Sequence, residues 1–297
     1  MFDVLIIGSG PAGLSAAVYT KRANLKIAVI EKVYYGTGQI AESHKVDNYL
    51  GFSGINGYEL GSKFREHAVE LGVEFIDGEV TEITEGATWS VQLKSGERLE
   101  TKAIIYATGA THRKLRVPGE EEWTGQGVSY CATCDGAFFR GKTVAVVGGG
   151  NTALYDALYL SDICEKVYVI HRREQLRGFA HVVERIKEKD NVDMILKANV
   201  AEIKGTDGVE AVLLEDGRQI AVDGVFVAVG MEPNTDMIKP LIELNDLGYV
   251  VADETGITNK DGFFVAGDVR EKTLRQVITA ASDGANAALA AEMYCRR

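Results

Sequence analysis

Two thiols separated by two residues, Cys131 and Cys134, with a carboxylate at the next position, Asp135, are the residues of this 297-residue chain best suited to chemistry. Such a pair can close a small disulfide ring that accepts two electrons and passes them on by thiol exchange, provided a thiolate forms and can be reached. The adjoining acid could carry the proton that the exchange must move. The same spacing also suits half of a structural zinc site, which usually needs a second pair or spaced histidines. The other cysteines, Cys164 and Cys295, stand alone, and none of the five histidines is close to Cys134 in sequence. The spacing therefore favours redox chemistry over metal binding, with both still open on these residues alone.

Glycine-rich turns flank this pair on both sides. The apolar run Val4–Ile7 leads directly into Gly8-Ser9-Gly10-Pro11-Ala12-Gly13, and a helical pattern follows with Leu14, Ala17 and Val18 on one face. Strand, glycine turn and helix in that order are the context a dinucleotide site needs. Gly8 makes the tight turn, Gly10 lets backbone N–H groups approach a pyrophosphate at the helix N-terminus, and Gly13 allows helix and strand to pack closely. The next strand, Ile27–Ile30, ends at Glu31, at the distance expected of an acid that binds ribose hydroxyls. A carboxylate there repels a 2′-phosphate, so this site suits the adenosine of NAD or FAD.

The pattern then repeats. Thr143–Val147 reads as a strand, and Gly148-Gly149-Gly150-Asn151-Thr152-Ala153 repeats the turn with alanine in the third place. The following strand, Val167–Ile170, ends at His171-Arg172-Arg173, the same distance from Gly148 as Glu31 is from Gly8, and Arg177 follows one turn on. Guanidinium forks suit a phosphate, so the second site reads as one for NADP(H).

Between and after these units the expected elements are an amphipathic helix from Gly57 to Leu71, a hairpin turning at Ser95-Gly96, and a strand ending at Ala107-Thr108-Gly109. In the second unit Val209–Leu214 starts a hairpin through Glu215-Asp216-Gly217, and Val225–Val229 forms a last strand ending at Gly230. The chain then returns through Phe263–Ala266 to Gly267-Asp268, with Arg275-Gln276 opening a long helix of small residues. A helix N-terminus aimed at an isoalloxazine ring would stabilise the negative charge of a reduced flavin. The fold class is therefore α/β, with two Rossmann-like dinucleotide-binding domains, the second inserted into the first and each carrying a small β-meander. The expected boundaries are 1–114 with 242–297 for the first and 115–241 for the second.

Composition narrows the function further. Hydrophobic residues make up 46% and charged residues 25%, enough for a proper core, and the net charge of −11 argues against nucleic-acid or anionic-membrane surfaces. No apolar run has membrane-spanning length and no charged n-region precedes the first strand, so a cytoplasmic protein is expected, where a Cys-x-x-Cys is more often catalytic than structural.

Together, Gly8–Gly13, Cys131–Gly136, Gly148–Ala153, His171–Arg173 and Gly267-Asp268-Val269 with Arg275-Gln276 closely resemble the bacterial low-molecular-weight thioredoxin reductases, over essentially the whole chain. The resemblance implies FAD in the discontinuous domain, NADPH and a Cys131–Cys134 redox disulfide in the inserted one, a homodimer, and thioredoxin as the electron acceptor. It implies that the two domains rotate, because disulfide and nicotinamide take turns at the flavin. It assigns Gln39, Asn48, Asp268 and Gln276 to the flavin site, together with Lys32, Gly38, Thr108, Gly109, Gly267 and Arg275. Asp135 becomes the acid that protonates the outgoing thiolate. Gly230, at the last strand's end, joins the nucleotide site of the inserted domain.

Three positions depart from the family pattern. Tyr155 stands where a carboxylate is common, Leu50 where proline is usual, and Gly36-Thr37-Gly38-Gln39 where Gly-Gly-Gln is typical. Three other readings share part of the motif set: a ferredoxin-dependent flavin thioredoxin reductase, a dithiol oxidase, and a non-catalytic FAD-binding redox sensor. The retained arginines argue against the first two, and Asp135 with both glycine turns argues against the third.

Overall fold

The computed structural model describes residues 1–43 and 46–297, and the chain divides into two compact units, 1–111 with 232–297 and 112–231. In the first unit β1 (Phe2–Ile7) turns at Gly8 into α1 (Pro11–Arg22), and β2 (Ile27–Glu31) lies parallel to β1. Pro11 occupies the first helical position, where its missing N–H costs nothing and its fixed φ suits the helix. The second helix, α2 (Gly57–Glu70), starts where the Asn56 side chain accepts the Tyr58 N–H at 2.9 Å. Strands β3 (Glu74–Asp77), β4 (Val80–Glu85), β5 (Trp89–Leu93) and β6 (Arg98–Tyr106) follow, with β4, β5 and β6 forming the antiparallel meander. Long β6 joins the parallel and antiparallel halves of one seven-stranded sheet: its first half pairs with β5, and its second half runs parallel to β1.

Strand β7 (Ala110–His112) leads to the second unit, which begins with β8 (Val128–Ser129) and the short α3 (Ala132–Asp135). The dinucleotide pattern then repeats as β9 (Thr143–Val147), α4 (Asn151–Ser161) and β10 (Lys166–His171), followed by α5 (Ala180–Lys187) and β11 (Val192–Leu196). A second meander, β12 (Val200–Gly205), β13 (Val209–Leu214) and β14 (Gln219–Ala221), precedes β15 (Gly224–Val227). The parallel sheet has the order β11-β10-β9-β15-β8. Strand β15 stops two residues before the expected Val229, and left-handed Gly230 (φ +114°) lies between it and β16 (Met231–Pro233). The first unit is completed by β17 (Phe263–Val265), parallel to β6, and by α6 (Val277–Cys295).

Close approach of α6 to α1 explains the run of small residues in α6. A Cβ on Gly284 would lie 2.1 Å from the Ala12 carbonyl oxygen, and a Cβ on Gly13 would lie 1.8 Å from that of Gly8. No side chain fits at either place. The apolar core of this unit joins Val4, Ile6, Leu14 and Val29 to Ala280, Ala287 and Ala291 of α6. Cys295 packs against this core and donates its Sγ–H to the Asp3 carbonyl at 3.4 Å. Cys164 is buried in the core of the second unit, where desolvation pushes its thiol up to about 11 and makes it inert. Among the described residues no helix is long and apolar enough to cross a membrane.

Candidate redox and dinucleotide sites

The Cys131–Cys134 pair is closed as a disulfide, with Cα atoms 5.3 Å apart. Cys131 is the extended N-cap of α3, and the first turn of that helix carries both Cys134 and Asp135. The Cys134 and Asp135 N–H groups donate to the Cys131 carbonyl at 3.3 and 3.1 Å, which ties the acid to the ring. Ser129 completes the arrangement. Its hydroxyl donates to Asp135 Oδ2 at 2.6 Å, and its oxygen accepts the Cys131 N–H at 3.1 Å. The other carboxylate oxygen, Oδ1, is buried and has no hydrogen-bond partner. Ser129 had no assigned role in the sequence; its position two residues before Cys131 was the available signal. Among the described residues no three His, Cys, Asp or Glu side chains gather as a metal site.

Tyr130, next to Cys131, is held on two sides within the same unit. Its hydroxyl donates to buried Glu120 at 3.0 Å, and its ring stacks on His112 at 5.2 Å. Burial first, and then the bond to Glu120, push the phenol up to about 12, so it stays a neutral donor. Glu120 also accepts the backbone N–H groups of Leu115 and Arg116, at 2.8 and 2.6 Å. This long-range bracing of the strand before the disulfide left no local trace in the sequence.

In the first unit the C-terminal ends of β1, β6 and β17 bring three backbone turns together. Gly8 (φ +110°) lies so close to Ala107 that a Cβ would be 2.5 Å from its oxygen. Gly38 (φ +75°) faces Gly10, where a Cβ would meet the Gly10 Cα at 2.9 Å, and a Cβ on Gly267 would meet Ala12 at 2.9 Å. The result is a cradle of closely approaching main chain at the N-terminus of α1, the kind of surface a pyrophosphate approaches. Pro11 and Ala12 form the start of that helix, and Ser9 precedes its N-cap, Gly10. Around it, Gln39 donates to the Ala110 carbonyl at 2.6 Å, and Asn48 donates to the Gln276 side chain at 2.8 Å. Thr108 donates to the Asn234 carbonyl at 3.1 Å. Asp268 Oδ1, an acceptor, and Arg275 Nε, a donor, are buried without partners. Burial raises the Asp268 carboxyl, opposed chiefly by Lys272 and Arg275. These groups fit a flavin dinucleotide.

Glu31, expected as the acid that binds ribose hydroxyls, is already engaged within the protein. Its side chain is buried, and both oxygens accept from Arg65 of α2, at 2.5 and 2.6 Å. The Arg65 guanidinium also lies over the rings of Phe75, at 3.9 Å, and Tyr35, at 4.7 Å. Nothing in the sequence near Glu31 signalled this partner thirty-four residues away. Lys32, the next residue, turns outward and pairs with Glu79 at 2.7 Å.

In the second unit Gly148 (φ +158°) turns the chain toward Gly150, the N-cap of α4, while Asn151, Thr152 and Ala153 open the helix. Arg172 and Arg173 are exposed, as is Arg177, whose N–H donates to the Gly149 carbonyl at 2.7 Å. The Asn151 side chain accepts the Phe179 N–H at 2.8 Å and so holds the 175–179 segment over the glycine turn. Among the described residues no carboxylate pairs with any of the three guanidinium groups. They fit a phosphate-bearing nucleotide. His171 is not of their kind. Its ring packs on Gly149, whose Cβ would meet Nδ1 at 2.3 Å, its Nε2 is buried without a partner, and burial with three nearby arginines holds its pKa down. It is therefore neutral and adds no charge to the site. On α4, Tyr155 is half-exposed, and its neighbour Asp156 is pushed up to about 7 by burial.

Two glycine-turn dinucleotide domains with a redox-active disulfide in one of them define an oxidoreductase that moves electrons between a nucleotide and a thiol pair. The chain belongs to the pyridine nucleotide-disulphide oxidoreductase family, which matches residues 2–284. It is 41% identical over 301 aligned residues to the thioredoxin reductase of Bacillus subtilis, covering 99% of this chain and 95% of that protein. It is 43% identical to that of Treponema pallidum, covering 99% and 97%. The crystal structure of thioredoxin reductase from Streptococcus pyogenes superposes with a TM-score of 0.90 at 43% identity, covering 100% of this chain and 98% of that one. Thioredoxin-disulfide reduction is accordingly the activity of this chain, with Cys131–Cys134 fitting its redox-active centre. The family implies a flavin and a nicotinamide cofactor, and the relatives imply thioredoxin as the substrate.

Proposed function

We propose that the chain reduces thioredoxin with NADPH through FAD, and that FAD occupies the cradle of the first unit while NADPH occupies the turn and arginines of the second. The carrying observation is the pairing, within the second unit, of the disulfide wired to Asp135 through Ser129 with a glycine turn flanked by unpaired arginines. NADP specificity follows from Arg172, Arg173 and Arg177, which offer forked donors to a 2′-phosphate. FAD is favoured for the first unit by the two orphaned polar groups on Asp268 and Arg275 and by the glycine cradle. When bound, the nicotinamide supplies two electrons and the flavin relays them to the disulfide.

From there the protein's own groups act. Once the ring is opened, one thiolate of the pair attacks a sulfur of the thioredoxin disulfide and forms a mixed disulfide. The other cysteine attacks its partner in that bond, which releases dithiol thioredoxin and closes the Cys131–Cys134 ring again. Asp135, with a free oxygen beside the ring, delivers the proton to the outgoing thiolate. Ser129 orients that carboxylate and is a positioning residue. A homodimer in the cytoplasm is the proposed state, by analogy with the family.

The test is anaerobic flavin bleaching with separate donors. NADPH bleaches the bound flavin quickly, and NADH and reduced ferredoxin do so slowly or not at all. Bleaching by ferredoxin alone would replace the NADPH assignment with the ferredoxin-dependent reading. In Cys134→Ser, thioredoxin turnover falls by about three orders of magnitude or more while NADPH still bleaches the flavin. Normal turnover in that variant would remove the disulfide from the mechanism.

A further inference from the structure

Asp283, in the middle of α6, is almost fully buried and accepts four hydrogen bonds. One comes from the main-chain N–H of Gly267 at 3.0 Å. Two come from Arg270, through Nε at 2.9 Å and a terminal nitrogen at 2.8 Å. The fourth comes from the ammonium of Lys272 at 2.8 Å. Both cationic side chains are as buried as the carboxylate they share. Arg270 reaches on to the Glu271 carbonyl at 3.0 Å, so the segment 267–272 is wrapped around one carboxylate. The cluster is unbalanced, because two buried cations on a single anion leave one positive charge in surplus. The acid next to the anchored Gly267 is Asp268, one oxygen of which has no partner. The charges acting on Asp268 are Lys272, Arg275, Asp283 and Arg270, in falling order.

We infer that Asp283 and Lys272 are positioning residues for the flavin: Asp283 anchors the main chain of the Gly267–Asp268 turn, and the surplus charge of Lys272 acts on the free carboxylate of Asp268. The inference rests on the assignment of FAD to the first unit. A buried carboxylate accepts a ribityl or ribose hydroxyl most strongly when ionised, and burial opposes ionisation unless a cation answers it. Asp283 Oδ2 accepts both the Lys272 ammonium and the Gly267 N–H, which holds that ammonium close to the main chain next to Asp268, while Arg270 is turned to both Asp283 oxygens. Asp283 itself is desolvated, yet its donors hold its pKa below the usual range, so the hub stays charged through the physiological range.

The experiment measures the FAD dissociation constant of the full chain, by recovery of free-flavin fluorescence, at intervals from pH 5 to pH 8. Free FAD has no group that titrates there, so a bend in the profile reports the protein. In Lys272→Met the Arg270–Asp283 pair remains. FAD affinity falls about tenfold near neutrality, and the acid-side bend moves up by about one pH unit, as expected for loss of a nearby cation. Lys272→Arg restores both. In Asp283→Asn, affinity falls by a similar factor at every pH, because the anchor is lost whatever the state of Asp268. A Lys272→Met profile that superposes on the parent's, or Asp283→Asn with unchanged affinity, overturns the inference. A parent protein that binds no FAD at all refutes the FAD assignment instead, so the two failures are distinct. Far-ultraviolet circular dichroism of each variant separates a folded protein with weak FAD from an unfolded one.

Discussion

The two dinucleotide units use one frame and treat its most informative position in opposite ways. In both, a strand enters a left-handed glycine, a helix starts three residues later, and the neighbouring parallel strand ends twenty-three residues after that glycine. At that end the first unit buries an acid and neutralises it with Arg65 from a different helix, against two aromatic rings. The second buries a neutral histidine against a glycine and sends its charge outward in Arg172, Arg173 and Arg177. The backbone frame thus supplies the pyrophosphate turn in each case. On the proposed assignment, the side chains at one register decide which nucleotide is admitted.

The largest effect should come from breaking the first unit's pair. Arg65→Met leaves Glu31 buried without a counter-charge, which costs on the order of 3–5 kcal/mol. For a protein of this size that corresponds to a melting temperature lower by roughly 10 °C, read by thermal unfolding at saturating FAD. Replacing both partners, Arg65→Met with Glu31→Leu, should recover most of the loss, because an apolar pair of similar volume avoids both desolvation penalties. If the single variant melts like the parent, the pair is not the neutralising device and the contrast between the units weakens.

In the second unit the same kind of substitution should act on binding and not on stability. Arg172→Ala with Arg173→Ala removes exposed, unpaired charges, so the melting temperature should move by no more than about a degree. The KM for NADPH should rise by roughly thirtyfold or more, which corresponds to about 2 kcal/mol of charge-assisted hydrogen bonds. The KM for NADH should change little, because NADH lacks the 2′-phosphate. Equal losses for both nucleotides would mean that the arginines support the loop and not the phosphate.

The frame was legible in the sequence because every part of it is local. Gly8 and Gly148 mark left-handed turns, strand and helix periods switch on either side of them, and Glu31 and His171 fall at a fixed offset. The disulfide and its acid were legible for the same reason, since three chemical groups fall within five residues. What remained hidden depends on distant partners. Arg65 reaches Glu31 across thirty-four residues, and Asp283 gathers a turn and two cations from another part of the chain. Glu120 braces Tyr130 through a side chain that reads as one of three consecutive acids. His171 was grouped with its arginines because they are adjacent. Only the packing, made possible by a glycine with no Cβ at 149, separates the buried ring from the exposed charges.

That separation leads to the smallest prediction, one of pH. His171 is held below the ordinary histidine pKa by burial and by Arg177, Arg173 and Arg172, so below about pH 6.5 the unfolded chain binds a proton that the folded chain refuses. Its contribution to stability is therefore complete above that pH and is lost as the pH falls toward the folded-state value. The slope in that window is about 1.4 kcal/mol per pH unit for one proton. His171→Gln removes the titrating group, and the acid-side fall in stability should become shallower by about that amount. His112, also lowered by burial, keeps its own contribution in both proteins, so the difference between them isolates position 171. Denaturant unfolding at pH 5.5 and 7.5 measures it. A parallel pair of profiles would mean that His171 is protonated in the folded chain after all and belongs with the arginines, which would restore three adjacent cations at the end of β10 and erase the distinction drawn here between a neutral anchor and a charged reader.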